Sequence, residues 1–213
     1  MATMQTRDRI LDAAERLFAE RGGADGASMR DLAAAAEVRL SQLSYHFGSK
    51  DALYRAVFTR RASALAQARG AALDAALARP DITVSDVVAA FIGPSVRQRF
   101  GEGVQGTAFA LLTAREAVDP REAVRGVLAE HFDPTARDFL AALDRLFPRA
   151  PLAARVDAYL FMVGALVMTM TSGDRAARLD PERSRTAPAE NADRLRGRLI
   201  DFCAAGIDRM LSE

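Results

Sequence analysis

Between Leu40 and Lys50 the chain reads LSQLSYHFGSK, which gathers one of its two histidines and its sole lysine with Ser41, Gln42, Ser44 and Tyr45. Such a set is suited to recognition. Glutamine can meet both polar atoms on the major-groove edge of adenine, arginine those of guanine, and serine either. Tyr, His and Lys side chains reach phosphate oxygens and fix a docking register. Arg39 precedes the stretch, and Lys50 stands at the start of the next helix, where its charge adds to the positive helix end.

Other chemistry finds little support. The chain has no convergent acid, base or nucleophile set, no nucleophile elbow, no Walker loop and no dinucleotide fingerprint, so it reads as a non-enzyme with no cofactor. The glycine-rich GEGVQG at Gly101–Gly106 follows a helical pattern, not a strand, and reads as a turn. Two histidines and one cysteine, widely spread, give no metal site. A single cysteine, Cys203, excludes an internal disulfide and fits a reducing compartment. The N-terminus lacks the uninterrupted apolar core of a signal peptide. The longest apolar run, Tyr159–Met170, is too short for a bilayer span, so no membrane association is expected and the location expected is cytoplasmic. A formal net charge of +1 means that any basic footprint must be local.

The elements that position the recognition residues are helices. Alanine, leucine and arginine dominate, and no alternating strand pattern is sustained, which predicts an all-α fold. A first helix, about Gln5–Arg21, carries Ile10, Ala13, Ala14, Leu17 and Phe18 on one face and ends at Gly22-Gly23. SMRD at Ser28–Asp31 is a capping signal for a second helix. Glu37-Val38-Arg39 form a turn, and Leu40–His46 a third helix in which Leu40, Leu43 and Phe47 point inward. Two short helices about a tight turn suggest a helix-turn-helix with Ser41, Gln42, Ser44 and Tyr45 outward. Ser49 caps a long helix that runs towards Pro80. Further helices are expected over Asp81–Arg99, kinked or broken at Gly93-Pro94, then over Val104–Ala117, Arg121–Phe147, Leu152–Ala177 and Glu190–Leu211. RLDPERSRTAPAEN between the last two reads as an exposed loop.

The segments TRDRILDAAERLFAERG, SMRDLAAAAEV and LSYHFGSKDALYRAVF, spread over about residues 6–60, resemble the DNA-binding domain of the TetR (tetracycline repressor) family of bacterial transcription regulators. The resemblance implies an N-terminal three-helix domain with a helix-turn-helix, residues 1–50, followed by a larger helical effector-binding and dimerisation domain, residues 51–213. Carried over by position, Ser28 would contact phosphate, Arg39, Ser41, Gln42 and Ser44 would lie in the major groove, and Tyr45, His46 and Lys50 would hold the DNA backbone. Two departures stand out. The family usually has glycine in the turn where this chain has Glu37, and often tyrosine where it has Ser44.

The function implied is a homodimeric, ligand-responsive regulator, a repressor, bound to double-stranded palindromic operator DNA and released by a small effector. The last two helices supply apolar faces for a four-helix dimer interface: Val156, Tyr159, Leu160, Val163 and Val167 on one, Leu195, Leu199, Phe202, Gly206 and Met210 on the other. Phe91, Phe109, Thr113, Phe139, Phe161, Met162 and Met168 are the candidate effector contacts. Arg97, Arg99 and Arg115 could anchor an anionic group. YHFGSK with the C-terminal FMVGALVMTMTSG is similar to a branch that includes fatty-acid-responsive repressors, which favours an apolar or amphiphilic effector such as a fatty acid or acyl thioester. The alternative is a helical small-molecule-binding protein whose DNA recognition is weakened or lost, as Glu37 and Ser44 suggest.

Overall fold

Alanine-rich segments with few β-branched residues become helix wherever a cap starts them and a breaker stops them. The computed structural model describes residues 2–182 and 188–212, and every regular element among them is helical. The first four helices are α1 (Ala2–Arg21), α2 (Met29–Ala35), α3 (Leu40–Phe47) and α4 (Lys50–Leu77). Then come α5 (Val84–Gly101), α6 (Gly103–Glu116), α7 (Glu122–Arg125), α8 (Val127–Leu146), α9 (Leu152–Thr171), α10 (Gly173–Leu179) and α11 (Pro188–Leu211). Part of the expected loop, residues 183–187, lies outside the described residues.

Ser28 caps α2 through a full capping box: its Oγ accepts from the Asp31 N–H, and its own N–H donates to the Asp31 carboxylate. Ser49 caps α4 by accepting from the Ala52 N–H. Four expectations change. Leu40 is half-exposed rather than inward, and only Leu43 and Phe47 seat α3. The helix through Gly93-Pro94 does not break, although Pro94 withholds the N–H that the Ala90 carbonyl would otherwise receive. The segment expected as one helix over 121–147 divides at Gly126, whose φ of 63° ends α7 and starts α8. The penultimate long helix stops at Thr171, and α10 follows separately.

Two cores organise the chain. The first joins Ile10, Leu11, Phe18, Leu32 and Leu43 to Leu53, Val57 and Phe58 of α4, and also takes in Ala108, Phe109 and Leu112 of α6. The second joins Leu73, Phe91, Ile92, Phe139, Met162 and Leu166 to Leu199, Cys203 and Ile207 of α11. The α4 helix contributes to both. As a 20-residue helix, α9 is by length and composition long and apolar enough to cross a membrane, more than the run Tyr159–Met170 implied. Its Ala158, Met162, Leu166 and Met170, spaced four apart, are instead buried in the second core.

Candidate nucleic-acid interface and internal cavity

Leu43 and Phe47 anchor α3 and leave Ser41, Gln42, Ser44 and Tyr45 on the open face, with Tyr45 84% exposed. The Tyr45 ring meets His46 edge-on at 5.5 Å, and His46 is half-buried. The Arg39 N–H donates to Gln42 Oε1 at 3.0 Å, so the glutamine caps its own helix. Its carbonyl is engaged, while its NH2 makes no hydrogen bond among the described residues. Bidentate reading of adenine needs both ends of the amide, so this cap must share or yield.

Acidic side chains hold the flanking candidates. Ser28 donates its hydroxyl to Asp31 at 2.7 Å, and Arg21 approaches the same carboxylate at 3.3 Å. The Ser28 hydrogen bonds, then the Arg21 charge, hold the Asp31 carboxyl below its ordinary value. Lys50 Nζ lies 3.7 Å from Asp25, which also pairs with Arg121. Glu37 sits in the turn with φ 54°, the only non-glycine at positive φ among the described residues. A backbone that glycine adopts freely is here imposed on a side chain with a Cβ.

Behind this face, buried charge ties the first three-helix unit to α6. Glu15 is fully buried and accepts from Arg60 at 2.7 Å and Arg61 at 3.1 Å. Arg61 continues to Glu102 at 2.7 Å and Gln105 at 2.6 Å. Tyr54 donates to the buried Glu116 at 2.7 Å, and Arg125 grips the same carboxylate at 2.6 and 2.9 Å. Burial, with the Glu116 hydrogen bond second, pushes the Tyr54 phenol well up. The hydrogen bond to Glu116 raises Arg125. Arg115 donates to the Ala19 carbonyl at the end of α1 and is thereby committed to this junction.

Between α4, α5, α6, α8 and α9 lies a cavity of about 460 Å3. Its wall is mostly apolar, and the sequence candidates Phe91, Phe109 and Thr113 are part of it. Four other candidates are not. Phe139 is buried behind the wall, edge-on to Phe91 at 4.8 Å, and Met162 fills the second core. Phe161 and Met168 face outward, 65% and 63% exposed. Arg97 is exposed and absent from the wall, whereas Arg99 belongs to it. Residues the sequence reading missed include Arg69, Ser95 and Phe132, and Tyr159, Leu160, Val163 and Val167, expected on the dimer face, also line the wall. One signal was present: Leu65, Arg69 and Leu73 share a helix face at four-residue spacing, which places an arginine on an apolar stripe. At Gly106, where α6 crosses the end of α5, a Cβ would lie 2.1 Å from the Gln98 carbonyl oxygen, so only glycine fits this part of the wall. Among the described residues no group of three His, Cys, Asp or Glu could hold a metal ion.

Residues 10–57 match the family model described as bacterial regulatory proteins, tetR family, and residues 89–206 match that of the tetracyclin repressor-like C-terminal domain. The chain belongs to the TetR family. It is therefore a DNA-binding transcription regulator in fold and family, with α2 and α3 as its helix-turn-helix. Solved structures share the architecture at low identity. HlyIIR, a hemolysin II transcriptional regulator, is 16% identical with a TM-score of 0.61, covering 95% of this chain and 98% of its own. A TetR-family regulator from Rhodococcus sp. is 18% identical with a TM-score of 0.61, covering 94% and 99%. NalD, the secondary repressor of the MexAB-OprM multidrug efflux pump in Pseudomonas aeruginosa, is 17% identical with a TM-score of 0.51, covering 93% and 96%. No curated protein matches the chain.

This TetR-family chain also carries an apolar surface remote from α3. On α9, Leu160, Phe161 and Met168 are exposed together with Gly164; on α11, Phe202 is 69% exposed beside the exposed Gly206. Leu199, expected on that outward stripe, turns the other way into the second core with Cys203 and Ile207. Burial pushes the Cys203 thiol up, against reactivity.

Proposed function

We propose that the protein is a homodimeric repressor that holds palindromic operator DNA through α3 and releases it when a mostly apolar small molecule enters the cavity. One observation carries this reading: Phe109 belongs at once to the cavity wall and to the first core, where its ring lies 5.5 Å from Phe58. A ligand that displaces α6 therefore acts on the helices that seat α3. A cavity of about 460 Å3 is within the range of about 300–1,000 Å3 usual for small-molecule sites. The exposed faces of α9 and α11 supply the dimer contact, since patches of that kind mark interaction sites. Arg39, Ser41, Gln42 and Ser44 read the groove; Tyr45, His46 and Lys50 hold phosphates, and Ser28 joins them when phosphate displaces Asp31. The working location is the cytoplasm, where the DNA is.

The test is anisotropy with DNA from the gene's own promoter region, titrated with and without an apolar ligand panel. Ligand and DNA should each weaken the other by one common factor, about 5–150-fold. A ligand that fills the cavity without changing DNA affinity would defeat the reading. The pairings Lys50–Asp25 and Ser28–Asp31, with Glu37, favour a second reading in which DNA recognition is weakened, and failure to bind any promoter fragment would select it. For the interface, Phe202→Glu should yield folded monomers by sedimentation, whereas Leu199→Glu should unfold the chain.

A further inference from the structure

We propose that the cavity takes an amphiphile with a single carboxylate head, and that the guanidinium of Arg69 receives the head. This deepens the reading of the cavity as the effector site. Arg69 is 6% exposed and forms part of the wall. It donates from Nε to the Phe91 carbonyl at 3.2 Å and from Nη2 to Ser95 Oγ at 2.7 Å, and stacks 3.7 Å from the Phe91 ring centroid. Every partner is neutral, and no carboxylate pairs with it among the described residues. Buried cations are ordinarily paired, because desolvation without a counter-charge costs several kcal/mol. Burial alone pulls this guanidinium down to about 10.

The surroundings fit a ligand that supplies the missing charge. Arg99, one turn beyond Ser95, likewise meets only neutral partners, the Met170 carbonyl at 3.2 Å and Thr107 Oγ1 at 2.5 Å. Asp133, the one carboxylate in the wall, is half-exposed and lies 3.6 Å from Arg137 outside it. Arg99 is half-exposed, so Arg69 is the one fully buried guanidinium of the wall without a counter-charge, which a monoanion supplies. The planar fork of arginine matches a carboxylate with two parallel hydrogen bonds. The remaining wall, with Phe91, Phe109, Phe132 and Val163, is apolar and suits a hydrocarbon body.

The test uses the full chain and three matched pairs: hexanoate, dodecanoate and hexadecanoate, each against its alcohol, by calorimetry. At least one carboxylate should bind at least about tenfold more tightly than its alcohol, the scale of a charge-assisted hydrogen bond. Arg69→Gln should abolish that preference, so that acid and alcohol of each pair bind alike. Arg69→Met should do the same and keep or raise the melting temperature of the unliganded protein, because a buried unpaired charge is removed. A preference that survives in both variants overturns the proposal, as does equal binding of acid and alcohol, or no binding of either, to the unaltered protein. If a carboxylate binds through Arg69 yet leaves DNA affinity unchanged, the anion site stands and the effector reading falls.

Discussion

Around Glu15 and Glu116 every buried charge meets its opposite, whereas Arg69 is buried with only neutral partners. The two regions are adjacent along α4, built from the same alanine- and arginine-rich sequence. Near the first core the ionic groups join α1, α4, α6 and α7, and Glu15 and Glu116 each hold more than one partner. In the cavity the cation is held in place by a carbonyl, a hydroxyl and an aromatic face, none of which neutralises it. Compensated charge fixes the junction between the halves; uncompensated charge leaves a demand for a ligand.

The sharpest way to break this contrast is at the residue shared by both regions. Phe109→Ala should destabilise the chain by about 3–5 kcal/mol and weaken DNA binding as well as ligand binding, since it empties part of the first core. Denaturant unfolding and anisotropy measure the two effects; unchanged DNA affinity would separate the cavity from the DNA-binding core. Next in size, Glu15→Gln should cost about 2–3 kcal/mol, because Arg60 and Arg61 lose their shared counter-charge. The same unfolding assay on Arg69→Met should show no such loss.

Smaller changes sharpen the comparison at the DNA face. Glu37→Gly should raise stability by up to about 1 kcal/mol through relief of the left-handed backbone. It should also tighten DNA binding, because an acidic side chain near phosphate is removed; a salt titration reads both terms. The least effect is expected from Ser28→Ala, about 1 kcal/mol or less. With the Ser28 hydrogen bonds its main cause, Asp31 has a folded pKa below its unfolded value. Its contribution is therefore present above the ordinary carboxylate range and is lost as pH falls through the folded value. Thermal melts between neutral and acid pH should show a shallower acid loss in Ser28→Ala than in the unaltered chain.

Local chemistry explains which parts of this structure could be read from sequence. The caps at Ser28 and Ser49 are written in adjacent residues, so the short helices and their turn were legible, including the awkward Glu37. The α9 helix was not legible in phase. It is apolar on nearly all sides, so no stripe tells inward Met162 from outward Phe161 and Met168. On α11 the stripe was visible but its sides were merged, which placed Leu199 with Phe202 although they face opposite ways. Arg69 was hidden because it is one of four arginines in an alanine-rich helix, and arginines there usually sit in solvent. Of the kink or break expected at Gly93-Pro94, the break does not occur, because burial of residues 91–96 holds the helix together across the missing hydrogen bond.

The α4 helix, continuous over 28 residues and embedded in both cores, also has a mechanical meaning. It is a rod roughly 42 Å long at about 1.5 Å per residue. Lys50 stands at one end, and Arg69 faces the cavity about two-thirds of the way along. A tilt of about 5° about the far end would swing the tip beside α3 through about 4 Å, on that same length. A displacement too small to disturb the packing around a ligand would thus be magnified at the tip, and in the proposed dimer it would be doubled between two symmetry-related tips.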